Sequence, residues 1–75
     1  PVRTVPRGKD VMLKLFLVRM ELAPSVREAE RLIKQGGVEI DGQLIKNPMY
    51  LVGLAEPRQY MIRVGKKKFL RVVVE

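Results

Sequence analysis

The hydrophobic pattern of the chain changes from a helical period in its first half to an alternating period in its second half. Between residues 11 and 22, apolar side chains recur three and four positions apart, which predicts a first helix with Asp10 as its N-cap. The apolar surface of this helix is wider than a half-exposed helix requires. We therefore expect either a helix central to the core or one that docks on another protein domain.

A second helix is indicated by the stretch that follows Pro24. Ser25 and Glu28 have the spacing of a capping box, in which the serine hydroxyl accepts a backbone N–H and the carboxylate reaches back. The glycines at Gly36 and Gly37 are typical of a left-handed helix end. The two helices, joined by a short turn, are expected to form a compact corner. The buried stripe of the second helix is predicted to contain Val26, Ala29, Leu32 and Ile33.

After the glycines the period changes to two, which predicts strands. Val38 and Ile40 are expected to face inward, and Asp41-Gly42 forms a tight turn into the next strand. A short strand is expected around residues 50–52. A closing hairpin is predicted with strands at residues 60–64 and 69–74 and a bend at residues 65–68. The pattern as a whole predicts an α+β fold, in which a two-helix corner packs on a small antiparallel sheet of hairpins.

The first nine residues lack either pattern. Pro1 and Pro6 disfavour regular structure, and Gly8 loosens the backbone. We therefore divide the chain into a linker over residues 1–9 and one domain over residues 10–75. The start has neither Met nor the apolar stretch of a secretory signal, and no segment approaches the roughly 18 apolar residues that a membrane-spanning helix needs.

The charge of the chain favours a polyanionic partner. Its 75 residues carry 15 Lys and Arg against 8 Asp and Glu, a net charge of +7. Such an excess on a small domain indicates nucleic acid or an anionic membrane surface. His and Cys are absent, so nucleophilic sites that use them and zinc sites built from them are excluded. We expect a binding module that catalyses no reaction, holds no metal and needs no cofactor.

Two basic features are candidates for the contact. The first lies on the second helix, where Arg27, Arg31 and Lys34 share one exposed face. Because Glu28 and Glu30 stand at ion-pair spacing from these cations, this face also fits a solvated surface with ion pairs along the helix.

The second basic feature is the closing hairpin, which from residue 58 onward has the single acid Glu75. Phosphate contact is favoured there over a membrane surface, which would prefer a basic amphipathic helix. Tyr60 and Phe69 are expected to be half-buried in the core rather than stacked on bases. The cations of the hairpin are Arg58, Arg63, Lys66, Lys67, Lys68 and Arg71.

The stretch "APSVREAERLIKQGGVEIDGQLI" resembles the S4-type RNA-binding domain. The matching positions are Ser25, Glu28-Ala29, Arg31, Leu32-Ile33, Gly36, Val38, Ile40 and Asp41-Gly42. The closing "RVGKKKFLRV" and the connecting "NPMYLV" are similar to the C-terminal domain of the bacterial tyrosyl-tRNA synthetases. The resemblance implies an S4-like fold and RNA contacts at the second helix and the closing hairpin. With the hairpin charges, the predicted RNA-binding residues are Ser25, Arg27, Arg31, Lys34, Arg63, Lys66, Lys67, Lys68 and Arg71.

The resemblance also implies a partner. It suggests binding to the long variable arm and anticodon stem of tyrosine tRNA, beside the catalytic domain of a cytoplasmic, homodimeric parent ligase that uses ATP. Two alternatives stay open. One is an S4 domain of another RNA-acting protein, such as a pseudouridine synthase. The other is a protein-interaction module that docks through the apolar first helix.

Overall fold

The computed structural model describes residues 1–75 as two short helices packed on one face of a five-stranded sheet, with a two-stranded sheet beside them. The sheet order is β1-β7-β6-β3-β4, with β1 parallel to β7 and the other pairs antiparallel. This arrangement confirms the predicted α+β class. The elements are β1 (Val2–Val5), β2 (Val11–Met12), α1 (Leu13–Arg19), α2 (Val26–Lys34), β3 (Val38–Ile40), β4 (Gln43–Leu44), β5 (Leu51–Val52), β6 (Arg58–Val64) and β7 (Lys68–Val74).

The core lies between the helices and the inner face of the sheet. Alternate residues of the long strands β6 and β7 are buried, as period-two patterning requires. They form one cluster with the buried side chains of α1 and α2. Neither helix is long and apolar enough to cross a bilayer.

The start of α1 differs from the prediction, because Asp10 is not its N-cap. The helix begins at Leu13, and residues 11–12 form β2, which pairs antiparallel with β5. The Asp10 carboxylate instead accepts the N–H of Leu54 at 3.1 Å. Pairing with a distant strand satisfies the backbone groups of residues 11–12, so no side-chain cap is needed there.

The apolar surface of α1 is used by the core. Leu13, Phe16 and Leu17 are fully buried, whereas Leu15 is 39% exposed. The prediction of a central core helix is therefore confirmed. The helix ends in a Schellman motif, in which the N–H of Leu22 bonds to the carbonyl of Leu17 at 2.8 Å. Its left-handed residue is Glu21, with φ 62°.

The predicted limits of α2 are confirmed. The Ser25 hydroxyl accepts the N–H of Glu28 at 3.2 Å, but the other half of the predicted capping box is absent, because the Glu28 carboxylate pairs with Arg31. At the other end, Gly36 has φ 76°, and the N–H of Gly37 bonds to the carbonyl of Leu32 at 2.9 Å. The cap and the glycines therefore define this helix locally, as the sequence pattern indicated.

The two predicted hairpins are present. Asp41 and Gly42, with φ 53° and 81°, form a two-residue turn between β3 and β4 whose two positive φ values are those of type I′. In the second hairpin Val64 pairs with Lys68, so the bend is only three residues long. Strand β7 therefore begins at Lys68, one residue earlier than predicted.

The expectation of irregular structure at residues 1–9 is wrong for residues 2–5. These residues form β1, in register from Val2 opposite Arg71 to Val5 opposite Val74. The strand lies at the edge of the sheet, and the two prolines flank it, which is where a sheet tolerates proline. The role of residues 1–9 as a linker to a preceding domain stays a prediction.

Tyr60 occupies the core as expected. It is 4% exposed, and its hydroxyl donates to the carbonyl of Gly53 at 2.7 Å. Burial raises the pKa of this phenol above its ordinary value of 10.0, because the phenolate would lose its hydration. The guanidinium of Arg58, 4.2 Å from the ring centre, opposes part of that increase.

Candidate nucleic-acid interface

The exposed face of α2 carries two unpaired cations and one paired cation. Arg27 and Lys34 are exposed and lie in no ion pair. Arg31 pairs with the carboxylate of Glu28, and it also donates to the Gln35 side chain at 3.5 Å. The interpretation of this face as a solvated surface with ion pairs therefore holds for Arg31 but not for Arg27 and Lys34.

Glu30 is turned away from this exposed face. Its carboxylate accepts the Lys14 ammonium of α1 at 3.2 Å. Sequence spacing had suggested Lys34 as its partner. Because α1 packs against α2, the acid that would have neutralised Lys34 is used between the helices, and Lys34 keeps its charge free for a ligand.

The three lysines of the closing hairpin are held beside the end of α2. We call residues Gly65–Lys68, which are the three connecting residues and the first residue of β7, the lysine bend. Gly65 has φ 66° and donates its N–H to the carbonyl of Gly37 at 2.7 Å. Gly37 is the third residue after α2 and bonds back to Leu32 of the helix, so this bond ties the lysine bend to the C-terminal end of α2. A left-handed residue is needed at the bend, and glycine adopts this conformation without steric cost.

Two open grooves show that the lysine bend borders α2. The first, of about 380 Å³, lies between Leu32 of α2 and all four residues of the bend. The second, of about 450 Å³, is lined by Lys68 and by Glu21, Ala23 and Pro24 of the segment between α1 and α2. The structure thus places the lysine bend next to α2, the helix that carries the other basic feature.

We call this group the basic surface: Arg27, Arg31, Lys34, Lys66, Lys67 and Lys68. None of its three lysines from the bend has a carboxylate within 4.0 Å. Neighbouring like charges repel one another, and an anion placed among them relieves that repulsion. The basic surface is therefore suited to a ligand with several negative charges.

Ser25 lies at the start of the same helix and is exposed. Its hydroxyl oxygen accepts the N–H of Glu28, which is a structural role. The hydroxyl proton has no acceptor within the chain, so it can be donated to a phosphate oxygen.

The structure does not place Arg63 and Arg71 with the cations of α2. Both point away from the helices, on the outer face of the sheet, because each alternates with inward-facing neighbours. The Arg63 Nε donates to the carbonyl of Gly65 at 3.2 Å, and a guanidinium nitrogen lies 4.0 Å from the Glu39 carboxylate. Arg63 thus holds the backbone of the lysine bend from the outer face of the sheet.

Arg71 stands in the middle of the outer face. It lies opposite Met61 of β6 and Val2 of β1, and it forms no ion pair. It is exposed to solvent on the side of the sheet that the helices do not cover. Its predicted contact with RNA would require RNA to reach this second face.

Phe69 was expected to be half-buried in the core; it is half-buried, but the predicted place in the core is wrong. Its side chain is 48% exposed on the outer face, with the Arg63 guanidinium carbon 5.5 Å from the ring centre. The neighbouring Leu70 takes the buried position. The strand begins at Lys68, and this register turns Phe69 outward.

The fold and the matched residues define the class of protein. The chain belongs to the S4 domain family, whose pattern matches residues 13–56, more than half of its length. Its relatives include curated proteins called tyrosine--tRNA ligase. It is 40% identical to that of Bdellovibrio bacteriovorus over 63 residues, which are 84% of this chain and 16% of the relative.

Two further relatives carry the same name. Over 67 residues the chain is 42% identical to the protein of Oleidesulfovibrio alaskensis, which covers 89% of this chain and 16% of the relative. Over 73 residues it is 40% identical to that of Thermotoga maritima, covering 96% of this chain and 17% of the relative. The resemblance found in the sequence is confirmed, and the chain spans about one sixth of the length of these relatives.

Proposed function

We propose that this chain is an RNA-binding module that docks a tRNA on its basic surface. The observation that carries the proposal is the bond from Gly65 to Gly37, which holds three unpaired lysines near the C-terminal end of α2, the helix that carries the other exposed cations. Phosphates are the anions that RNA presents at regular spacing along its backbone. A rigid surface of cations binds them without first ordering long loops, which lowers the entropic cost of association.

The tRNA is that of tyrosine, and the parent is a tyrosine–tRNA ligase. The support is the similarity to proteins of that name over 83–96% of this chain, as the relatives with 40–42% identity show. The chain itself has no His or Cys and accounts for about one sixth of such a protein. Activation of tyrosine with ATP and its transfer to tRNA therefore belong to the remainder of the parent.

The mechanism is electrostatic docking combined with recognition of RNA shape. Double-stranded RNA has a deep, narrow major groove that side chains read poorly, so proteins contact its backbone and its wide minor groove. The long variable arm and the adjoining anticodon stem offer such backbone surfaces. Contacts there orient the tRNA and raise its affinity for the parent enzyme, and they require no chemistry from this domain.

The test compares two RNAs across a salt series. Binding of the 75-residue chain is measured for tyrosine tRNA and for the same tRNA with its long variable arm removed. We expect weaker binding and a flatter dependence on salt for the shortened RNA, because phosphate contacts are lost with the arm. Equal binding to both would refute the specific assignment and leave general RNA affinity. No binding to either RNA would refute the function itself.

A further inference from the structure

A second cluster of cations lies outside the basic surface. Arg7, Lys9 and Arg19 line a cavity of about 290 Å³, whose apolar floor includes Val5, Phe16 and Leu54. The cavity has roughly ten times the volume that one water occupies in the liquid. It is therefore large enough to hold a phosphodiester group with part of a flanking ribose.

The backbone that carries the first two cations is anchored on both sides of the cavity. The carbonyl of Val5 accepts the N–H of Glu75 at 2.9 Å, and the N–H of Gly8 bonds to the carbonyl of Leu54 at 2.9 Å. The N–H of Leu54 in turn bonds to the Asp10 carboxylate at 3.1 Å. Arg7 and Lys9 thus stand on either side of a residue whose position is fixed.

The third cation is held by a different element. Arg19 is in the last turn of α1, directly before the Schellman motif that ends this helix. Its backbone is fixed by helical hydrogen bonds. The cavity therefore combines cations from two segments whose relative position is set by the core, and little ordering is needed when a ligand binds.

No acid neutralises these cations. None of the residues that line the cavity is Asp or Glu, and none of the three cations takes part in an ion pair. The acids adjacent in sequence are used elsewhere, since Asp10 accepts an N–H and Glu21 pairs with Arg3 at 3.5 Å. Three positive charges around an apolar floor repel one another, and a bound anion removes that repulsion.

The cavity is well separated from the lysine bend. Val5, at its floor, pairs with Val74 at the end of β7, whereas the lysine bend leads into the start of this strand at Lys68. Six steps of about 3.3 Å along a strand place the two sites roughly 20 Å apart. One anion cannot occupy both, but one RNA molecule can contact both through different phosphates.

We propose that Arg7, Lys9 and Arg19 form a second phosphate-binding site, which takes a backbone phosphodiester of the RNA that docks on the basic surface. This inference rests on the proposed function. It gives the N-terminal segment and α1 a direct part in RNA binding. The sequence did not indicate this site, because its members are separated by up to twelve positions and Lys9 stands next to Asp10.

The test neutralises the cavity and measures RNA binding between 50 and 200 mM salt. The variant R7Q/K9Q/R19Q removes the site, and the single variants R19Q and R58Q form a charge-matched pair. Arg58 is exposed, lies at the same end of the sheet through its pairing with Val74, and does not line the cavity. Thermal unfolding of each variant establishes that the fold is retained.

The expected result follows from the loss of one phosphate contact. The slope of log affinity against log salt becomes flatter by about 0.7 to 0.9, so that the loss of affinity over this range is about threefold smaller. R19Q gives part of this change, and R58Q leaves the slope at its original value. Titration with inorganic phosphate shifts the amide resonances of Gly8 and Arg19 in the original chain but not in the triple variant.

Two other outcomes would each refute the assignment of this cavity to an RNA phosphate. If the original chain binds RNA and the triple variant has the same slope as R58Q, the second site is refuted while the proposed function stands. If the original chain binds no RNA, the proposed function fails and the assignment of this cavity to an RNA phosphate fails with it. Phosphate-induced shifts at Gly8 would then assign the cavity to an anion from another source.

Discussion

Removing the charges of the lysine bend tests the most direct consequence of the proposed interface. The variant K66A/K67A/K68A deletes three cations that are exposed and lie in no ion pair. The hydrogen bond from Gly65 to Gly37 and the strand pairing of Lys68 with Val64 do not depend on lysine side chains, so the hairpin keeps its position. The perturbation therefore acts on charge and leaves the fold intact.

The magnitude follows from the number of cations removed. If each lysine contacts one phosphate, the slope of log affinity against log salt changes by about 2.1 to 2.7, three times the value of 0.7 to 0.9 for one contact. Between 50 and 200 mM salt, the original chain then loses about 20- to 40-fold more affinity than the variant. A bend in which only two lysines reach phosphates would give about 7- to 12-fold.

The assay is equilibrium binding of labelled tyrosine tRNA at five or more salt concentrations. Each single Lys→Ala variant is compared with Arg58→Gln, which removes one charge from an exposed position outside the basic surface. An unchanged slope in the triple variant would refute the assignment of the lysine bend to the interface. A slope that changes equally in Arg58→Gln would show that net charge, rather than the position of the lysines, determines binding.

Three local features give predictions of stability. Ser25→Ala removes the helix cap and should lower the free energy of unfolding by about 1 kcal/mol. An unchanged melting temperature in Ser25→Ala would contradict this role of the cap. Ser25→Asp keeps the cap but weakens RNA binding. Glu21→Gly replaces a non-glycine residue in the left-handed conformation, and thermal unfolding should show that the free energy of unfolding rises by about half a kcal/mol. The ion pair that is lost with Arg3 is exposed and contributes little. A lower free energy of unfolding would refute the strain at φ 62°. The raised pKa of Tyr60 means that above pH 10 the unfolded chain loses this proton before the folded chain does, so stability falls as pH rises from there. In Tyr60→Phe that fall should be shallower in denaturant titrations at pH 9 to 11, and equal slopes would contradict the effect of burial.

Three features that depend only on neighbouring residues were predicted correctly, although the predicted cap at Asp10 was not. The cap at Ser25, the left-handed glycine at Gly36 and the Asp41-Gly42 turn need no distant partner. The energies that select them act within four residues of the backbone. Their presence in a chain with two hairpins was enough to predict the α+β class and the S4 family.

The candidate site could be predicted only in part. The charges of α2 and of the hairpin were evident from composition, but sequence spacing assigned Glu30 to Lys34, and the packing of α1 on α2 gives it to Lys14 instead. Arg63 was predicted as an RNA contact, and its side chain is engaged with Gly65 and Glu39. Tertiary packing brings acids near some cations and not near others, and this determines which cations stay free.

The helices and turns follow from residues that are close together in the chain, and the excess of positive charge follows from the composition. Contacts between distant segments make Val11 and Met12 leave the helix to pair with β5, about 40 positions away, and join β1 to β7, about 70 positions away. These pairings are fixed by the backbone hydrogen bonds and apolar surfaces of distant segments. The same long-range contacts place the lysine bend beside α2 and close the cavity around Arg7, Lys9 and Arg19.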